Sequence, residues 1–249
     1  MYSLRLLFVL LPLVASDAAL PASYNALDNG NCLAVTSKAY NMSERTLIDE
    51  AYKAVTAAWI INVRICLESG REIFVSPTHI LQCSYNKVKD YGNGDSTQFF
   101  DQIYKNGVVT EECQPWNENA QECVEECVNG NRGVRVRFDF KSEETRNRSQ
   151  VFGSEQLKDE VYHNGPVFVI FLGKADLLQT IKSDEVYHFK SVPDYREFSA
   201  AVVGWGEGYF LVQLLDPNTQ GELYPPVKIS YDNLYFPMAI HPDVANLPQ

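Results

Sequence analysis

The sequence predicts an α+β protein in which a helical N-terminal part precedes a β-rich C-terminal part. Between about residues 43 and 106, apolar residues recur at helical spacing. From residue 167 onward, short runs rich in β-branched and aromatic residues alternate with Gly, Pro or Asp, which is typical of strands and turns. A length of 249 residues with 45% apolar residues is sufficient for one large domain or for two lobes, each with its own core.

Capping residues and Gly or Pro positions predict four helices. They are a long helix with Ser43 or Thr46 as its N-cap, a short helix from Ser76-Pro77, a helix from Asp95 or Ser96 to Asn106, and a helix from Ser154 to His163. Five strands are predicted at 167–171, 186–189, 198–205, 208–215 and 226–231. The acidic, cysteine-bearing segment 107–133 shows neither period and is predicted to be an irregular linker region.

The N-terminal segment is typical of a secretory signal peptide. Arg5 is followed by an apolar run at 6–15 and then by small residues, and the run is shorter than the roughly 20 residues of a membrane-spanning helix. A buried N-terminal helix is the alternative interpretation. We expect removal of residues 1–18, no propeptide, and a mature domain of residues 19–249. That domain would be secreted or delivered to the lumen of the endomembrane-lysosomal system.

Charge and histidine content exclude several classes of ligand. The 21 Lys and Arg against 32 Asp and Glu give a net charge of −11, so no basic face is expected for nucleic acid or an anionic membrane. The four histidines are well separated in sequence, which leaves little for a His-based metal site. Cys123 and Cys127 have a zinc-like spacing, but the nearby Glu125 and Glu126 indicate a solvated loop. Neither a metal nor a cofactor is expected.

Export determines how the six cysteines are interpreted. An even number in an oxidising compartment predicts three disulfides, although six cysteines allow fifteen pairings and the sequence alone leaves the connectivity open. The Asn-x-Ser sequons at Asn41 and Asn147 are predicted glycosylation sites.

A series of short fragments occurs in a characteristic order. They are Leu20-Pro-Ala-Ser-Tyr24, Arg64-Ile-Cys66, Val75-Ser-Pro-Thr-His-Ile-Leu-Gln-Cys83, Asn164-Gly-Pro-Val167, Val186-Tyr-His188, Gly204-Trp-Gly206 and Tyr209-Phe-Leu-Val212. Together they resemble the cathepsin B branch of the papain-like cysteine peptidases, from Leu20 to about His241. The resemblance implies a papain-like two-lobe fold, with a helical lobe at about 20–130 and a β-barrel-like lobe at about 131–249. It also implies the disulfides Cys32–Cys66, Cys83–Cys123 and Cys113–Cys127.

The positions that this resemblance assigns to catalysis carry other residues. The position of the nucleophilic Cys falls on Tyr52, and that of the His falls on Phe198. The position of the orienting Asn falls on Leu214, and that of the oxyanion Gln falls on Thr46. Glu44, Asp49 and Glu50 surround the start of the long helix, where they would oppose a thiolate. No histidine lies between the cysteines at 113 and 123, where the resemblance would place a histidine-bearing exopeptidase loop. We therefore expect a homologue without cysteine-peptidase activity.

Three classes of function follow from this expectation. The first is a non-catalytic protein that binds a polypeptide or protein partner, either in a remnant groove or on its surface. The second is a structural or matrix component on a papain scaffold, and the third is a hydrolase with altered chemistry whose nucleophile is Ser43 or Tyr52. Residues expected to line the remnant groove are Asn93, Gly94, Asp95 and Trp205, although Asp95 replaces a Gly of the family's peptide site.

The side chains at the former catalytic centre are expected to meet one another. Tyr52 comes from the long helix, whereas Phe198 and Leu214 come from predicted strands, so a mutual contact would form an apolar plug between the lobes. The alternative is that each side chain points into the core of its own lobe.

Overall fold

A computed structural model describes residues 19–28, 30–40, 50–85, 96–117, 119, 122, 123, 126–138, 153–174, 176–190, 195–215 and 225–248. Several predicted features lie outside these residues: the signal peptide at 1–18, the sequons at Asn41 and Asn147, the positions Ser43 and Thr46, and the groove residues Asn93, Gly94 and Asp95.

The described helices include all four that the sequence predicts. Their bounds are α1 (Leu33–Thr36), α2 (Glu50–Ser69), α3 (Pro77–Ile80), α4 (Ser96–Asn106), α5 (Ser154–Asn164) and α6 (Leu177–Thr180). The Ser76 hydroxyl caps α3 by accepting a hydrogen bond from the backbone N–H of His79 at 3.0 Å. Gly165 ends α5 with a φ of +91°, a conformation that favours glycine. The one-turn helices α1 and α6 were not predicted, because four residues carry no period.

A large mixed sheet forms the other part of the molecule. Its strands are β1 (Tyr24–Asn25), β4 (Val167–Lys174), β5 (Val186–Tyr187), β6 (Tyr195–Gly206), β7 (Tyr209–Gln213), β8 (Val227–Ser230) and β9 (Leu234–Met238). The order is β5-β8-β7-β6-β4-β9, with β1 paired to β6, and among the described residues of the sheet only the β5–β8 pairing is parallel. The strands β2 (Val108–Val109) and β3 (Arg135–Val136) form a separate antiparallel pair.

The prediction of a barrel-like β part is wrong for the described residues. Their sheet is open, with β5 and β9 at its edges. The strand β5 has only two residues, and Pro237 in β9 lacks a backbone N–H with which to pair to a further strand. The five strands predicted from the sequence are nevertheless present, within a few residues of their expected bounds.

Two hydrophobic clusters cover the two faces of this sheet. Because strand side chains alternate, Ala201 and Val203 of β6 pack with α2 in the first cluster. Ala200 and Val202 pack in the second cluster together with the buried side of α5. From Ala51 to Cys66 every residue of α2 except Lys53 is buried, so α2 is the central helix of the fold.

The three disulfides are those implied by the resemblance. They join Cys32 to Cys66, Cys83 to Cys123, and Cys113 to Cys127. The sequence contains six cysteines, and these three bonds use all of them.

Candidate functional site

Tyr52 lies at the first turn of α2 and links this helix to the sheet. Its side chain is buried, with 2% of its surface exposed. The hydroxyl accepts a hydrogen bond at 3.3 Å from the backbone N–H of Leu215, just after the end of β7. At its carbonyl, Tyr52 accepts a hydrogen bond from the hydroxyl of Thr56 at 2.9 Å. The phenol therefore bridges the N-terminal end of α2 and the end of β7.

Phe198 and Leu214 belong to the second hydrophobic cluster. Phe198 is 4% exposed and stacks on Phe171, with ring centroids 5.5 Å apart and an interplanar angle of 22°. Its ring also lies against Gly173, where an added Cβ would come within 3.0 Å of it. Leu214 is 1% exposed. Neither side chain can accept or donate a proton at neutral pH.

The structure does not form the predicted plug of three side chains. Tyr52 packs in the first cluster, whereas Phe198 and Leu214 pack together in the second, on the other face of the sheet. The connection between α2 and β7 is instead polar, through the Tyr52 hydroxyl and the backbone of Leu215.

Because side chains alternate between the two faces of the sheet along β6 and β7, two polar residues lie on the face toward α2. Ser199 has the same parity as Ala201, and Gln213 pairs with Ala201 in the ladder between β6 and β7. Both polar side chains are buried, and the Gln213 amide donates to the Leu214 carbonyl at 2.8 Å. These two residues were missed from the sequence, although counting alternate positions from the buried alanine would have identified them.

Trp205, which the sequence analysis assigns to a remnant groove, lies near the end of β6. It is 2% exposed, and its indole N–H donates to the carbonyl of Pro21 at 3.0 Å. Its ring also packs against Tyr24, with centroids 5.1 Å apart. The indole therefore holds the first described residues of the chain against the sheet.

A largely buried ion pair links α2 to α5. The guanidinium of Arg64, in a side chain that is 1% exposed, lies 2.8 Å from a carboxylate oxygen of Glu160. It also donates hydrogen bonds to the carbonyls of Pro166 at 2.7 Å and Gly165 at 3.2 Å. His241 approaches the same carboxylate to 3.6 Å.

Opposing influences act on the carboxyl group of this pair. Burial raises the pKa of Glu160, but the positive charge of Arg64, then that of His241, and hydrogen bonds from Arg64 and Asn164 lower it by more. The pKa of Glu160 therefore lies below its ordinary value, and the carboxylate is ionised at neutral pH.

Two features are absent from the part of the chain that the structure describes. Within it, no group of three or more His, Cys, Asp or Glu side chains is arranged to hold a metal ion. Nor does any helix there have the length and apolar character needed to cross a membrane.

Comparison with known proteins places the chain in a family. The model of the papain family of cysteine proteases matches residues 51–214, a span that includes Tyr52, Phe198 and Leu214. The chain belongs to the papain family. No curated protein sequence matches it.

Several solved protein structures share its fold. Procathepsin B S9 from Trypanosoma congolense aligns with a TM-score of 0.67 at 21% identity, covering 91% of this chain and 79% of that one. The Carica candamarcensis cysteine protease CMS1MS2, in complex with E-64, aligns with a TM-score of 0.61 at 13% identity. The alignment covers 88% of this chain and 99% of that one. A structure concerned with the mite allergens Blo t 1 and Der p 1 aligns with a TM-score of 0.59 at 17% identity. The alignment covers 92% of this chain and 74% of that one. At these identities the likeness establishes the fold alone.

Proposed function

We propose that this papain-family chain is a catalytically inactive homologue that acts by binding a polypeptide or protein partner. The observation that carries the proposal is the use of all six cysteines in disulfides. The nucleophile of a cysteine peptidase is a thiolate, and a sulfur that is half of a disulfide cannot serve as one.

The side chains at the expected catalytic positions support the proposal. Tyr52 uses its hydroxyl to accept the N–H of Leu215, which gives the phenol a structural contact between α2 and the end of β7. Phe198 and Leu214 would replace a proton-accepting His and its orienting Asn by apolar groups. In a triad hydrolase, removal of the whole triad lowers kcat by about 10⁶.

Secretion and modification are part of the same proposal. We infer that residues 1–18 direct export and that Asn41 and Asn147 carry glycans on the mature protein. Three disulfides favour an oxidising compartment, either outside the cell or in the endomembrane-lysosomal lumen. In this proposal the mature chain has a helical lobe at about 20–130 and a β lobe at about 131–249.

A structural or matrix component is the second candidate. The observation that favours it is the burial of Tyr52, Phe198 and Leu214, each at most 4% exposed, since side chains buried at the expected catalytic positions leave less of a groove. The two candidates differ in where the protein is found. A binding protein is recovered in soluble complexes, whereas a matrix component is recovered in the insoluble extracellular fraction.

The loss of activity is tested by incubating the native secreted protein with a dipeptidyl fluorogenic substrate, with active cathepsin B as the positive control. We expect no turnover above that of buffer. Turnover that an active-site epoxide blocks would overturn the proposal. Chemical cross-linking of the native protein in its secretion fluid then tests the binding role, and a discrete cross-linked partner is the expected result.

A further inference from the structure

A groove lies at the opposite end of α2 from Tyr52. One cavity of about 510 Å³ is lined by residues just beyond α2, including Ile73 and Phe74, and by Pro115. A second cavity of about 600 Å³ adjoins it, and both are lined by Glu112 and Pro248. We call the two cavities together the tail groove, because Pro248 of the C-terminal segment lines both, together with Thr110 and Glu112.

The chain's own tail shows what kind of segment this surface accommodates. Leu247 has φ −67° and ψ 147°, the extended polyproline II conformation, and it packs on the first hydrophobic cluster. The carbonyl of Pro248 accepts a hydrogen bond from the guanidinium of Arg71. An extended Leu-Pro segment is thus bound here by one apolar side chain and one backbone carbonyl.

Apart from Arg71, the charged residues of the first cavity are acidic. They are Glu72, Glu111 and Glu112, and the first and last of these are exposed, whereas the charged residues of the second cavity are Glu112 and Arg132. The ammonium of Lys38 lies 3.2 Å from a carboxylate oxygen of Glu111 and 5.3 Å from the centroid of the Phe74 ring. This wall of the groove therefore already binds one ammonium group between a carboxylate and an aromatic face.

We propose that the tail groove is the partner site and that it binds an extended polypeptide segment in which lysine or arginine alternates with leucine or proline. The proposal rests on the proposed function as a partner-binding protein. The bound backbone runs beside Leu247 and Pro248, which stay in place as one wall of the groove, and its basic side chains pair with Glu72 and Glu112. A net charge of −11 on the whole chain favours the approach of such a segment.

The test is a fluorescence anisotropy titration of the native full-length protein with a labelled octapeptide of leucine, proline and lysine. A counterpart with glutamate in place of lysine is titrated in parallel. We expect saturable binding of the basic peptide only, weakened by added salt. The double variant Glu72→Lys/Glu112→Lys should weaken binding about tenfold, because two exposed attractions become repulsions. The matched control is Glu207→Lys in the turn between β6 and β7, which should leave binding unchanged.

Equal binding of the basic and acidic peptides, no binding of either, or equal weakening by Glu207→Lys would overturn the groove proposal. A charge-reversed double variant that cross-links the same partner as the wild type would overturn it as well, while leaving the partner-binding function intact. Absence of any cross-linked partner for both proteins contradicts the proposed function instead, and the titration still decides the groove. Sedimentation of the protein alone shows whether a second copy of the chain occupies the groove. Self-association of the wild type that is lost in the charge-reversed variant would overturn the proposed peptide partner, because the occupant would then be another copy of this chain.

Discussion

Replacement of Arg64 by Met should destabilise the protein strongly, because the largely buried Glu160 carboxylate loses the guanidinium that lies nearest to it. In the wild type, the Arg64 guanidinium lies 2.8 Å from Glu160 and also donates to the carbonyls of Gly165 and Pro166. Methionine retains much of the side-chain volume and a high helix propensity, so the change isolates the loss of the guanidinium. Removal of one partner from a buried ion pair costs about 3–5 kcal/mol in free energy of unfolding.

The predicted loss depends on pH, and the direction follows from the pKa of Glu160. Because this pKa is lowered in the folded wild type, the pair's contribution is fully present above the ordinary carboxyl pKa of about 4.3. The contribution is lost as the pH falls through the lower folded pKa. In the Arg64→Met variant the largest of the lowering influences is gone, so the pKa of Glu160 should lie higher than in the wild type. The difference in stability between variant and wild type should therefore be largest near neutral pH and smaller at about pH 4.

The assay is urea unfolding monitored by tryptophan fluorescence at both pH values. The double variant Arg64→Met/Glu160→Met removes both charges and should recover a large part of the loss, since no unpaired ion is left. Lys182→Met breaks an exposed pair with Glu185 and serves as the control, with little change expected. A single-variant loss below about 1 kcal/mol, or a double variant as unstable as the sum of the two single variants, would refute the reasoning.

Three further changes test packing by the same unfolding assay. Tyr52→Phe leaves the buried N–H of Leu215 without its phenolic acceptor and should cost about 1–3 kcal/mol; an unchanged midpoint would mean that this bond contributes nothing. Phe198→Ala opens a cavity in the second cluster and should cost about 3–5 kcal/mol, a value that an exposed ring would not approach. Gly204→Ala places a Cβ 2.0 Å from a carbonyl oxygen of β1 and should displace that strand. Gly30→Ala has open space around it and should be tolerated. Equal stability of the two variants would contradict the structure.

Local patterns account for the parts of the fold that the sequence predicted. The end of α5 follows from Asn164-Gly165-Pro166, and the start of α3 follows from Ser76-Pro77, because cap residues act on their own turn. The disulfide pairing came from the order of the family fragments rather than from the cysteines themselves, since six cysteines leave fifteen pairings open.

The parts that were missed depend on contacts between distant segments. β1 is two residues long and pairs with β6 across about 180 residues of sequence, so no local pattern marks it. The expectation that Tyr52 meets Phe198 failed because it took no account of which face of β6 carries the Phe198 side chain. A shift of one residue along a strand moves a side chain to the other face of the sheet. In β6 this alternation puts Phe198 on one face of the sheet. The next residue, Ser199, lies on the opposite face with the residues that face α2.

Thiol labelling of the native protein tests the central claim most directly. The purified secreted protein is treated with an active-site epoxide and, separately, with iodoacetamide under denaturing, non-reducing conditions. Intact mass is then measured for both samples. Because the three disulfides use all six cysteines, we predict no added mass in either sample. One epoxide adduct, or one alkylated cysteine, would reveal a thiol and contradict the account of this protein as a papain-family chain without a nucleophile.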